Sequence, residues 1–235
     1  MALANFTHGK DASVFANGLD LSAFMNKADF SRTCDTAEVS TFRAKYKAYI
    51  PGQMDSTISL EGFYSGGMDS LDDFLQQHVG ADAIWTVVMT SDAVGAIGFA
   101  VETVQTTYEI GAEIGGAVAV SAEGQSRTPA EGARVLIPAT EITATATGDS
   151  VDNAAQTDLG CALYLHVLER AATTASVEVE HSQDGTAWVS LASIPDVGAE
   201  QSAQRIVTSG AVHRYVRASW TVDDTITMHL SIARN

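Results

Sequence analysis

At 235 residues, with 46% apolar and 18% charged side chains, the chain has material for a large buried core and too little charge for a disordered polymer. A formal charge of −16, from 13 basic against 29 acidic residues, argues against tight nucleic-acid binding, which needs Lys and Arg to displace counterions from phosphates. The two cysteines, Cys34 and Cys161, lie too far apart in sequence to suggest a disulfide framework, and the most apolar stretch, 83–120, is broken by Asp92, Glu102, Glu109 and Glu113, so no membrane insertion is expected.

In chain order, Ser13 to Ala16 reads as a short strand followed by an Asn17-Gly18 turn, and Ala28 to Thr36 as a second strand. Residues 54–65 alternate: Ile58, Leu60 and Gly62 share one side, while Thr57, Ser59, Glu61 and Phe63 share the other. The period then changes. Leu71, Phe74, Leu75 and His78 fall at helical spacing over Asp69 to Val79, with Asp69 or Ser70 as cap and Gly80 as terminator. Ile84–Thr90, Ile97–Val104, Thr106–Ile110, Val118–Gln125 and Arg134–Ile137 follow as strands, with Gly115-Gly116 as a turn and Pro138 as a stop.

Thr140 to Asp158 is small, polar and weakly periodic, and reads as a linker with the boundary near Gly148. It divides the chain into 1–147 and 148–235, both acidic, with 8 basic and 18 acidic residues in the first part and 5 and 11 in the second. The second part reads as β throughout: Ala162–Leu168, Ser176–His181, an Asp184-Gly185 hairpin turn leading to Trp188 and Leu191, Tyr215–Trp220, and a last strand through Ile226, Met228, Leu230 and Ile232. The expected fold class is mainly β: a β-sandwich or partial barrel with one flanking α-helix, plus a small C-terminal β-sandwich of immunoglobulin-like or jelly-roll type.

No nucleophile elbow, phosphate-binding loop, dinucleotide fingerprint or zinc spacing occurs, so no catalytic residue, metal or cofactor is expected. Cys161 and His166, five apart on one strand, would point to opposite faces and read as a core cysteine and a half-buried histidine. One cluster stands out. Arg43, Lys45 and Lys47, interleaved with Tyr46 and close to Tyr49, form a basic, aromatic loop ending at Pro51-Gly52. In so acidic a chain it suits contact with an acidic partner surface, although an ordinary exposed loop is the blander reading. Trp188, Tyr215 and Trp220 could stack on a ligand at an outer surface, against the favoured alternative of core packing.

The successions GKDASVFANGLDLSAF (9–24), CDTAEVSTF (34–42) and YIPGQMDSTISLEG (49–62), with TTYEI (106–110) and AVAVSAEGQ (117–125), resemble the major tail protein of long, non-contractile-tailed phages. The second part, through HSQDGTAW (181–188) and RYVRASW (214–220), looks like an accessory domain appended to some such proteins. The resemblance implies a non-enzymatic virion subunit with a tail tube domain at 1–147 and an outer accessory domain at 148–235. Its copies would form hexameric rings stacked into a tail tube, around a tape measure protein and between tail terminator and distal tail proteins. DNA would pass through without specific binding, and assembly would take place in the host cytoplasm. Arg43, Lys45, Tyr46, Lys47 and Tyr49 would then contact the next ring, while Glu102, Glu109 and Glu123 would face the lumen. The alternatives from other classes are a carbohydrate- or cell-surface-binding β-sandwich and a capsid decoration protein.

Overall fold

The structure is a computed structural model that describes residues 9–66 and 71–234; the expected caps Asp69 and Ser70 lie outside them. Its elements in order are a short 3-10 turn (Gly9–Asp11), β1 (Ser13–Ala16), β2 (Leu19–Asp20), β3 (Met25–Glu38), β4 (Tyr49–Phe63), α1 (Leu71–Gln77), β5 (Asp82–Val88), β6 (Ile97–Gly111), β7 (Ala119–Ser126) and β8 (Glu131–Ile142). Then come β9 (Ala146–Thr147), β10 (Val151–Asp152), β11 (Cys161–Arg170), β12 (Ala175–Ser182), β13 (Val189–Ile194), β14 (Ser202–Thr208), β15 (Tyr215–Val222) and β16 (Ile226–Arg234). The protein is mainly β, and α1 is the one α-helix among the described residues. No helix among them is long and apolar enough to cross a membrane. Two compact units form: residues 9–23, 84–100 and 131–234 in one, and 24–66, 71–83 and 101–130 in the other.

In the first unit, strands run in the order β14-β11-β16-β8-β6-β5-β1-β2, with β6 taking part through residues 97–100. A second sheet, β10-β15-β12-β13 with β9 on β15, covers one side. The apolar run of β11 explains this arrangement, because both of its faces are buried. Leu163, Leu165 and Val167 pack with Met228 and Leu230 of β16 against Val177, Val179, Val216 and Ala218 of the second sheet. Ala162 and Tyr164 point the other way, to a cluster with Ala100 and Ala133. Truncating any one of these buried leucines to Ala costs about 2–5 kcal/mol.

Cys161 and His166 do face opposite ways, but His166 is fully buried, not half-buried. The reason lies at the β1–β2 turn, where Asn17 (φ 44°) and Gly18 (φ 84°) adopt left-handed conformations. The Gly18 N–H donates to His166 Nδ1 at 3.2 Å, so Nε2 carries the hydrogen and donates to Thr86 Oγ1 at 2.9 Å. Burial and the neighbouring His229 hold the His166 pKa well below the usual histidine range. His229 stacks on Phe15 with centroids 4.4 Å apart, and its Nδ1 lies 3.3 Å from Asp92.

Three expectations change. The segment 140–158 is not a free linker: β8 runs on to Ile142 against β16, and Ala146-Thr147 and Val151-Asp152 pair with β15. Small polar residues suffice there because these strands are short and lie beside β15. Pro138 does not stop β8, since the register against β16 shifts between Leu230–Ile137 and Met228–Thr140, and proline needs no ladder hydrogen bond at such an irregularity. The two expected strands 97–104 and 106–110 are one strand with a bulge between Gln105 and Thr107.

The second unit is a four-stranded antiparallel sheet, β3-β4-β7-β6. Ile58, Leu60 and Gly62 of β4 and Val120, Ala122 and Gly124 of β7 are buried on one face, as the alternation implies. Helix α1 is fastened to β6: Gln105 Nε2 donates to the Leu75 carbonyl at 2.7 Å, and the Tyr108 hydroxyl donates to Asp72. Gly80 follows the helix with φ 81°, the terminating role expected of it.

Candidate functional site

Strands β3 and β4 form a hairpin much longer than the sheet that supports it. They pair from Met25–Gly62 to Glu38–Tyr49, whereas β7 covers β4 only over residues 57–63. Beyond that cover the hairpin is a two-stranded ribbon, and every residue from Ser31 to Asp55 is exposed. A two-stranded ribbon alone is marginal in water. This one also displays Val39, Phe42, Tyr46, Tyr49, Ile50 and Met54 to solvent. Burying such side chains is worth about 1.5–3 kcal/mol each, so the ribbon has the composition of a surface that a partner covers.

The tip is ordered by local bonds. Val39 N–H donates to the Ala48 carbonyl at 2.8 Å, Ala48 N–H to Ser40 Oγ at 3.0 Å, and Lys47 Nζ reaches Glu38 at 2.8 Å. Lys47 and Ser40 hold the Glu38 carboxyl below its usual pKa. Arg43 and Lys45 have no ion-pair partner among the described residues. The structure therefore brings Arg43, Lys45, Tyr46, Lys47 and Tyr49 together on one projecting tip. Sequence reasoning named these five and did not single out Phe42, Ile50 and Met54, which the same ribbon exposes.

The face of this sheet away from α1 is polar. Asp29, Ser59, Glu123 and Thr107 align across one row, and Lys27, Glu61, Ser121 and Glu109 across the next. A shallow hollow of about 440 Å³ lies here, lined in part by Glu61, Glu109, Glu123 and Asn26. The bulge in β6 places Glu102 on this face as well, so Glu102, Glu109 and Glu123 share it. Lys27 sits between Asp29 (2.8 Å) and Glu61 (2.5 Å), which push its pKa upward, although such exposed pairs stabilise little. Among the described residues no three His, Cys, Asp or Glu side chains are grouped to hold a metal ion.

The three aromatics of the second part separate. Trp220 lies on the core side of β15, packs against the sandwich core and donates its indole N–H to the Ala144 carbonyl at 3.1 Å. Trp188 is on the outer side under Arg217, whose guanidinium is 4.1 Å from the ring centre and held by Glu180 at 2.8 Å. Tyr215 is capped by Arg214 at 4.9 Å, which also binds Asp152 through two hydrogen bonds and lowers that carboxyl's pKa to about 2. A separate hollow of about 270 Å³ is lined by Ser176, Glu178, Ser193, Ser219 and Thr221 together with Trp220.

No family model matches the chain, and no curated protein matches it. Solved structures do. A chain from the virion of a native gene transfer agent particle is similar over 53% of this chain and 97% of its own, at 16% identity and a TM-score of 0.43. The SPP1 tail tube is similar over 52% and 77%, at 12% identity and a TM-score of 0.42. The SPP1 Dit protein, described as a hub of the adsorption apparatus of phages that infect Gram-positive hosts, is similar over 95% and 99%, at 12% identity and a TM-score of 0.37. Likenesses of this degree assign no function.

Proposed function

We propose that the protein is a non-enzymatic structural subunit of a phage tail, whose copies close into hexameric rings that stack into a DNA-conducting tube. The observation that carries this is the ribbon from Ser31 to Asp55, exposed throughout and rich in large apolar side chains. Neighbouring copies pair along the β3 edge of the four-stranded sheet, where β3 has one strand neighbour among the described residues, and close a ring, and the tip reaches the adjacent ring; together these supply the lateral and axial contacts that a tube needs. Glu102, Glu109 and Glu123 line the lumen in this reading, where negative charge keeps DNA from adhering. The tape measure protein, tail terminator and distal tail proteins are the partners. In this reading residues 1–147 carry the tube-forming surfaces and 148–235 the outer accessory surfaces, although both stretches contribute strands to the first unit.

Electron microscopy of the purified protein tests this, with stacked rings as the expected result. Arg43→Glu, Lys45→Glu and Lys47→Glu together should prevent stacking while circular dichroism stays unchanged. Normal tubes from that variant, or a wild-type protein that stays monomeric at high concentration, would refute the reading. A second reading, saccharide binding by the part 148–235, has support in the hydroxyl-lined hollow beside Glu178. Glycan binding that Glu178→Gln abolishes, by a protein that forms no tubes, would favour it.

A further inference from the structure

We propose that the hairpin tip docks on the β6–β7 turn of a second copy of this chain, so that the two ends of one sheet are donor and acceptor of the same contact. The inference rests on the assembly reading above and names the acceptor that the reading leaves open. Strand register places the two at opposite ends of the second unit. The tip lies beyond the Glu38–Tyr49 pair, whereas residues 112–118 lie beyond the Gly111–Ala119 and Phe63–Ala119 pairs. With fourteen residue steps of about 3.3 Å along β4, the ends are roughly 46 Å apart.

Their chemistry is complementary. From Ser40 to Met54 there are three basic residues and no acidic one; from Gln105 to Ser126 there are three acidic residues, Glu109, Glu113 and Glu123, and no basic one. Glu109 and Glu113, like Arg43 and Lys45, have no ion-pair partner among the described residues. Each end also exposes apolar side chains: Phe42 and Tyr46 at the tip, and Ile110, Ile114, Val118 and Phe63 at the turn. A Cβ added at Gly111 or Gly115 would meet nothing within 4 Å, so the turn is open to an approaching chain.

Contact between two tips would oppose three cations to three cations. Contact between tip and turn opposes unlike charges and covers apolar surface on both sides. Such a contact is heterologous, so it does not close on a pair and adds copies along the strand direction.

Cross-linking decides it. In a Cys34→Ser background, Tyr46→Cys and Ile114→Cys are combined in one chain, and assembled protein is oxidised and run without reductant. A ladder of multimers is expected, with monomers from either single variant. Dimers from Tyr46→Cys alone would indicate contact between tips and overturn the proposal. Tubes that form without cross-linking would overturn it too, while leaving the assembly reading intact; failure of the wild-type protein to form tubes would instead defeat that reading.

Should the cysteines themselves block assembly, charge reversal decides. Glu109→Lys with Glu113→Lys should raise the critical concentration for tube growth about tenfold or more at low salt, and combination with the reversed tip should largely restore it. If the acidic reversals leave tube growth unaffected, or the combination recovers nothing, the acceptor is elsewhere.

Discussion

Replacing Gly18 by Ala probes how the first unit closes on itself. Gly18 has φ 84°, and a Cβ there would lie 2.3 Å from Ser202 N, 2.6 Å from Ser202 O and 2.6 Å from Val167 O. All three are backbone atoms, so no side chain can swing aside. The left-handed conformation costs alanine about 1–2 kcal/mol. Moving the turn away breaks the Gly18–His166 hydrogen bond and leaves the buried Nδ1 unpaired, at about 1–3 kcal/mol more. A loss of roughly 2–5 kcal/mol is therefore expected, a large fraction of the stability of an ordinary domain, about 5–15 kcal/mol. Urea unfolding followed by fluorescence and circular dichroism measures it, with an unchanged slope if the denatured state is unaffected. Gly80→Ala is the control, because its φ is 81° but a Cβ there would meet nothing within 4 Å. That variant should lose only the conformational part, about 1–2 kcal/mol. Equal losses from the two variants would show that conformation alone, and not the packing of the β1–β2 turn, governs position 18.

The His166 site should make stability depend on pH. Its folded pKa is depressed, so below about 6.5 the unfolded chain takes up a proton that the folded chain refuses. Stability should thus fall as pH drops through that window, by up to about 1.4 kcal/mol per pH unit, and His166→Asn should flatten the slope in urea titrations between pH 7 and pH 5. The tryptophans of the second part should also separate in thermal unfolding. Trp220→Ala removes core packing and a hydrogen bond and should cost about 2–4 kcal/mol, whereas Trp188→Ala should cost about 1 kcal/mol or less.

The alternation of Ile58, Leu60 and Gly62, the Asn17-Gly18 turn and the helix ending at Gly80 were legible because each depends on neighbours in sequence. The exposed cationic tip was legible for the same reason. What was not legible depends on distant partners. Strand β14, SAQRIVT, has too few apolar residues to be recognised and exists because β11 lies beside it. Glu102 and Glu109 are seven residues apart, an odd number that would put them on opposite faces of a regular strand. They share a face only because the bulge between Gln105 and Thr107 inserts one residue. The burial of His166 likewise follows from Gly18 and Thr86, which no local pattern connects to it.

Strand β16 lies between β8 and β11, so the central ladder of the first unit is incomplete until residue 234 has left the ribosome. Every strand of the second unit is already available at residue 130. A nascent chain therefore displays its exposed apolar ribbon before its own largest core can shut, with pairings as distant as Cys161 to Arg234 still to be made. Pairings of such long sequence range form slowly. Newly made chains thus pass through an interval in which premature sticking competes with self-completion, and chains interrupted before β16 would be a source of faulty oligomers that the cell must clear.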